Sequence, residues 1–106
     1  MTLNLAQVRT DLMAVRDERV EDITLRRGNL TVDAQAVRIE RTSSFGMAVR
    51  SLNGEEYRAT AIVLGDIDLD IEVQDRFNDQ NEILFMVIFV NPNRDACCVA
   101  EVAAVQ

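Results

Sequence analysis

Residues 66–92 read DIDLDIEVQDRFNDQNEILFMVIFVNP, and the contrast between the two halves of this stretch decides the fold. Ile67, Leu69, Ile71 and Val73 alternate with Asp66, Asp68, Asp70 and Glu72. A period of two sends apolar side chains to one face of a strand and carboxylates to the other. Ile83 to Val90 is apolar at every position, which predicts a strand that leaves water on both faces. Between them Asn78-Asp79-Gln80-Asn81 reads as a polar turn, and Pro92 ends the pairing because it has no backbone donor. A strand buried on two sides needs two covers. The expectation is barrel core on one face and, on the other, either the N-terminal helix or an adjacent subunit.

Working outward, the chain has 106 residues, which fits one domain over residues 1–106. Hydrophobic content of 48% is too high for a disordered protein. No apolar run approaches the roughly 20 residues of a membrane helix, so no membrane partner is expected. The start, MTLNLAQVRTDL, lacks the apolar core of a signal peptide, so the chain is expected to be soluble and intracellular at synthesis. Formal net charge is −7, from 18 acidic and 11 basic residues, which argues against groove binding to nucleic acid. The same sign suits a channel that DNA must pass through without sticking. All 11 cations are Arg. Base composition of the gene is the simpler explanation, although Arg also suits planar contacts with carboxylates at interfaces.

The chain contains no His and no Trp, which removes the commonest general base and the commonest metal ligand. Cys97 and Cys98 are adjacent and make no zinc spacing, no CxxC and no nucleophile–base pair; they read as small buried hydrophobes. Asp66, Asp68 and Asp70 share one face of the predicted strand, yet Ile71 stands where a calcium loop needs its glycine. A solvated strand face is the simpler reading, with a metal site or an acidic interface or channel wall as the alternatives. Glu55 and Glu56 are adjacent acids with nothing to mark them as an acid–base pair. No enzyme activity, catalytic residue or cofactor is expected.

Asn4 can cap a helix over about residues 4–16, with Gln7 in capping-box position and Leu3 and Val8 placed for a hydrophobic staple. Leu5, Val8, Leu12 and Val15 recur at helical spacing and give one narrow apolar stripe. From Val20 the period becomes two. Arg27-Gly28-Asn29 reads as a turn, and the apolar phase slips by one residue before Val37, through a bulge or a bend into a second pairing. Residues 42–56, TSSFGMAVRSLNGEE, carry no sustained period and read as one long loop. Tyr57 to Leu64 reads as a strand ended by Gly65, and Ala96 to Val105 as the last strand. The sum is a mainly β protein: a small β-barrel or sandwich of about six strands over about residues 20–105, with a short N-terminal helix.

Several of these elements resemble the head-closure, or head–tail stopper, proteins of long-tailed bacteriophages. The matching residues are Asp70-Ile71, Asp75-Arg76-Phe77, Val87 to Val90 with Pro92, Ala100-Glu101-Val102-Ala103 and Gln106, with Ala34 to Ile39 resembling the family's first long strand. The resemblance covers about two-thirds of the chain. It departs at Gln74 and at Gln80-Asn81, where the family often has glycine. The resemblance implies a homo-oligomeric ring in the virion neck, made in the host cytoplasm, with portal or adaptor protein above and a tail-terminator or tail protein below. Such a ring closes the filled capsid, holds the packaged DNA and docks the tail. In that setting Ser43, Ser44, Phe45, Gly46 and Met47 are candidates for a channel-gating loop. Asp75, Arg76, Phe77, Leu5, Val8 and Leu12 are candidates for subunit interfaces. A tail-terminator or tail-completion protein is the nearest alternative; an acidic module that mimics DNA is an alternative of another class.

Overall fold

The computed structural model describes residues 4–41 and 48–105. Helix α1 (Leu5–Asp17) starts where Asn4 accepts a hydrogen bond from the Gln7 amide at 3.1 Å. The reciprocal half of the capping box is not made, because the Gln7 side chain turns forward to Asp11 at 2.8 Å. Leu3 lies outside the described residues. The other elements of the described chain are strands: β1 (Glu21–Ile23), β2 (Arg26–Arg27), β3 (Leu30–Thr31), β4 (Gln35–Arg41), β5 (Val49–Leu52), β6 (Glu55–Arg58), β7 (Ala61–Gly65), β8 (Arg76–Asn78), β9 (Leu84–Val90) and β10 (Cys98–Ala104).

Among the described residues, eight strands form one antiparallel sheet in the order β1-β4-β7-β10-β9-β8-β2-β3, and β5 pairs with β6 in a separate two-stranded sheet. The sheet curls strongly into a half-barrel around one core. Strands β1 and β2 stand on opposite wings of this sheet, yet only Thr24 and Leu25 separate them. Three Cα–Cα steps reach at most about 11 Å, so this link draws the two wings together. Leu25 is fully buried in the gap it bridges.

Alternation decides what faces inward. Val37 and Ile39 of β4, Ala61 and Val63 of β7, Phe85 and Val87 of β9, and Ala100 and Val102 of β10 line the concave side. Phe77 of β8 stacks on its cross-strand partner Phe85 with ring centroids 5.5 Å apart. The phase slip before Val37 is a bend into a second pairing: β3 pairs with β2, residues 32–34 run outside any strand, and β4 begins a new pairing with β1 and β7.

Four expectations are corrected. The stretch from Asp66 to Val73 is not a strand: after β7 the chain turns at Ile67-Asp68, and Leu69 and Ile71 drop onto the open side of the half-barrel as its lid. A side chain at Gly65 would place its Cβ 2.7 Å from Leu69, so the absence of one lets the lid fold back. The alternation still sorts the faces, since Leu69 and Ile71 are buried while Asp68, Asp70 and Glu72 are exposed, but Val73 is 41% exposed.

Residues 49–56 are not loop; residues 42–47 of the expected loop lie outside the described residues. Asn53 (φ 52) and Gly54 (φ 83) close a two-residue hairpin turn that joins β5 to β6, a turn that needs both residues left-handed. The predicted strand from Tyr57 to Leu64 is correspondingly two strands, divided at Ala59-Thr60.

The second cover of β9 is this hairpin, not the helix or a neighbouring subunit. Met86 and Ile88 pack on the convex side with Ala59 and Ala103, beneath Leu52 and Tyr57. A register shift opposite Glu101-Val102 makes Ile88 an extra residue, so Ile88 and Phe89 both turn outward. Ile83 lies before the strand and is 44% exposed.

Finally, α1 covers the other wing on β4 and β7, and none of its residues is buried.

Candidate functional site

The Asp75-Arg76-Phe77 step is where the lid rejoins the sheet. Its side chains alternate: Asp75 and Phe77 point in and are fully buried, and Arg76 points out and is exposed. The interface role expected for Asp75 and Phe77 is therefore corrected, since both are enclosed within the subunit. Only Arg76 of the three reaches the surface.

Asp75 can be buried because both of its carboxylate oxygens are hydrogen-bonded. Arg27 donates from Nε and Nη2 to its two carboxylate oxygens, each at 2.9 Å, and the Glu72 amide donates to Oδ2 at 2.8 Å. The backbone holds the same point, with Gln74 donating to Val87 at 2.7 Å and Val87 donating to Asp75 at 2.8 Å. Gln74 sits at φ 77, the left-handed region that glycine adopts without strain. Arg27 also reaches Asp70 and Glu72 at 2.9 Å, so one guanidinium serves three carboxylates. Hydrogen bonds to Asp75 first and Asp70 second hold its pKa above the ordinary arginine value.

A second buried acid organises the next turn. Asp79 accepts from the Asn81 and Ile83 amides at 2.9 Å and from Arg41 at 3.2 Å. Arg41 also grips both oxygens of Glu21 at 2.7 and 2.9 Å, tying the end of β4 to β1 and to the β8–β9 turn. The left-handed residue of this turn is Glu82 (φ 62) and not Gln80 or Asn81. On the convex side Arg50 of β5 binds Glu101 of β10 through two hydrogen bonds, at 2.9 and 2.8 Å, and lies 3.9 Å above the Phe89 ring, which fastens the hairpin to the sheet.

Helix α1 is attached mainly by polar contacts. Arg9 makes a two-pronged pair with Asp66 at 2.7 and 2.9 Å, and that hydrogen bonding lowers the Asp66 carboxyl below its ordinary pKa. Arg38 of β4 donates to the Val15 carbonyl at 2.8 Å and contacts Glu18 and Glu40. Leu5 remains 43% exposed, and Val8 and Leu12 are half-buried.

Between the hairpin and the sheet edge lies an open cleft of about 760 Å³. Leu52, Asn53, Glu55 and Tyr57 line it on the hairpin side, and Arg26, Gln74, Arg76 and Met86 on the sheet side. Sequence reading missed this cleft because it missed the hairpin, although the Asn53-Gly54 pair was the signal for both.

The three aspartates considered for a cation are held apart by different partners: Asp66 by Arg9, Asp70 by Arg27, with Asp68 at the surface. Among the described residues no three His, Cys, Asp or Glu converge as a metal would require. Cys98 is core and Cys97 half-buried, and burial raises both thiol pKa values, which suppresses the reactive thiolate. The clusters at Asp75, Asp79 and Glu101 are closed Arg–carboxylate pairs whose effect is to hold geometry. Ser43, Ser44, Phe45, Gly46 and Met47, the gating-loop candidates, lie outside the described residues. No family model matches the chain, and no curated protein matches it.

Proposed function

We propose that this chain is a ring-forming structural subunit of a bacteriophage neck, placed below the portal or adaptor, where it closes the filled capsid, retains the DNA and docks the tail. The observation that carries this reading is the Gln74 to Phe77 pivot. The resemblance to head-closure proteins centres on Asp75-Arg76-Phe77 and expects glycine just before it. In the chain that position is left-handed, and the step joins lid to sheet through a buried aspartate and a buried phenylalanine.

The surface supports assembly in two further ways. Among the described residues, strands β1 and β3 end the sheet with unpaired edges, and on α1 exposed Leu5, next to half-buried Val8 and Leu12, offers an apolar contact to a neighbour. The net charge of −7, repeated round a ring, would keep DNA phosphate from adhering to the channel.

The test is electron microscopy of particles assembled without this protein. Full capsids that lose DNA and carry no tails are the expected result. Capsids that keep their DNA and join tails normally would end the proposal. Capsids that stay closed but bear tails of uncontrolled length would transfer the chain to the tail-terminator class.

A further inference from the structure

We propose that the cleft beneath the β5–β6 hairpin is the docking site for the acidic 68–72 segment of a second copy of this chain. Arg26 and Arg76 are direct cross-strand partners and both line the cleft. Like charges placed opposite each other on a sheet repel. Among the described residues neither has a carboxylate partner: Arg26 donates to the Asn78 amide oxygen at 3.0 Å, and the cleft's own Glu55 accepts from the Tyr57 hydroxyl at 2.9 Å and makes no ion pair with either arginine. This is the reverse of Arg9, Arg27, Arg38, Arg41 and Arg50, each held by an acid elsewhere in the chain.

The missing counter-charge is on the other face of the same edge. Successive residues of a strand point to opposite sides, so Arg27 projects away from Arg26 into Asp70, Glu72 and Asp75. One cation against three carboxylates leaves that face negative, and exposed Asp68 lies further along the same segment, toward Arg9 and Arg16. Asp70 and Glu72 are 57% and 64% exposed even while paired, so they can reach a neighbour. A patch that is positive on one face and negative on the opposite face is complementary to a copy of itself in head-to-tail order, which closes as a ring when the rotation permits. The inference rests on the ring reading above and specifies its contact. Tyr57, Gln74 and the wall of Leu52 and Met86 would shield the ion pairs from water and strengthen them.

The test is a charge swap on the full chain, followed by sedimentation velocity. R26E/R76E and D68K/E72K change only exposed side chains, and thermal melting checks that each variant folds. Each alone is expected to weaken self-association about tenfold or more, because like charges then meet at every contact. An equimolar mixture of the two is expected to restore it, since the altered cleft of one variant then meets the altered segment of the other as opposite charges, and the unaltered cleft and segment meet as in the wild type. Wild-type association is expected to weaken as salt rises from about 20 to about 500 mM. Undiminished association of either variant, no recovery in the mixture, or salt-insensitive wild-type assembly overturns the inference and leaves the ring reading standing. A wild type that stays monomeric at every concentration overturns both.

Discussion

Arg27 grips Asp75 with two parallel hydrogen bonds of 2.9 Å, and the grip is lopsided: the carboxylate is 1% exposed and the guanidinium side 26%. Removing the acid leaves a cation that still has Asp70, Glu72 and water, but it also strips the Glu72 amide of its acceptor and opens a polar hole beside Phe77. Asp75→Ala is expected to cost about 3 kcal/mol. Asp75→Asn keeps the shape and one acceptor and is expected to cost about 1–2 kcal/mol. Glu72→Ala, at a 64% exposed site, should stay within about 0.5 kcal/mol. Urea unfolding measures all three, and equal losses for Asp75→Ala and Glu72→Ala would refute the ranking.

Gln74 carries a side chain at φ 77. Left-handed backbone costs a residue with a Cβ about 1–2 kcal/mol, partly balanced by the extra freedom glycine has when unfolded. Gln74→Gly is therefore expected to stabilise by up to about 1 kcal/mol, a rise in melting temperature of about 4 °C. Gln74→Ala retains the Cβ and should gain nothing. A Gly variant no more stable than the Ala variant would show that the strain is not there.

The hairpin is the cover of β9, and Gly54 at φ 83 closes it. A Cβ at Gly54 meets nothing within 4 Å, so any effect of Gly54→Val acts through the backbone alone. A β-branched residue in that conformation is expected to cost about 1–3 kcal/mol. Loosening the turn should bare Met86 and Ile88, read as increased binding of a hydrophobic dye well below the melting temperature. Melting that falls without added dye binding would mean that the hairpin and the sheet open together.

Asp66 titrates below its ordinary range because Arg9 hydrogen-bonds its ionised form. The folded pKa is thus lower than the unfolded value of about 3.9, so the stabilisation is complete above that value and is lost as pH falls through the folded one. Wild type should exceed Asp66→Asn in melting temperature by a constant margin from about pH 5 to 8, and the margin should close below about pH 4. A margin that is unchanged at pH 3 would remove the ion pair as its source.

The mainly β class, the capped helix and the buried Leu84 to Val90 strand were legible because period and capping chemistry are local properties. The misassignments share one cause. At Asp66 to Val73 the alternation reports which side chains are buried, and a lid segment over a core needs the same alternation as a strand; only partner strands distinguish the two. At Val49 to Arg58 the alternation is weak, because Arg50 and Glu56 stand among the apolar residues and the hairpin buries one side only, so Asn53-Gly54 carried all of the signal. The Arg27–Asp75 pair and the Arg26–Arg76 cleft join residues about fifty positions apart, and nothing within a local window specifies them.

Strand β9 is the most hydrophobic stretch of the chain, and an unpaired strand of that kind seeds aggregation while a protein is being made. Its outer cover is a short-range hairpin that precedes it in the sequence, and hairpins close within about 1–10 µs. On a ribosome adding about 5–20 residues each second, the hairpin has sampled its closed form many times before Leu84 emerges. The order of synthesis therefore places a ready shield beside the segment that most needs one, leaving the slow step to the distant pairings of β4 with β7 and of β2 with β8.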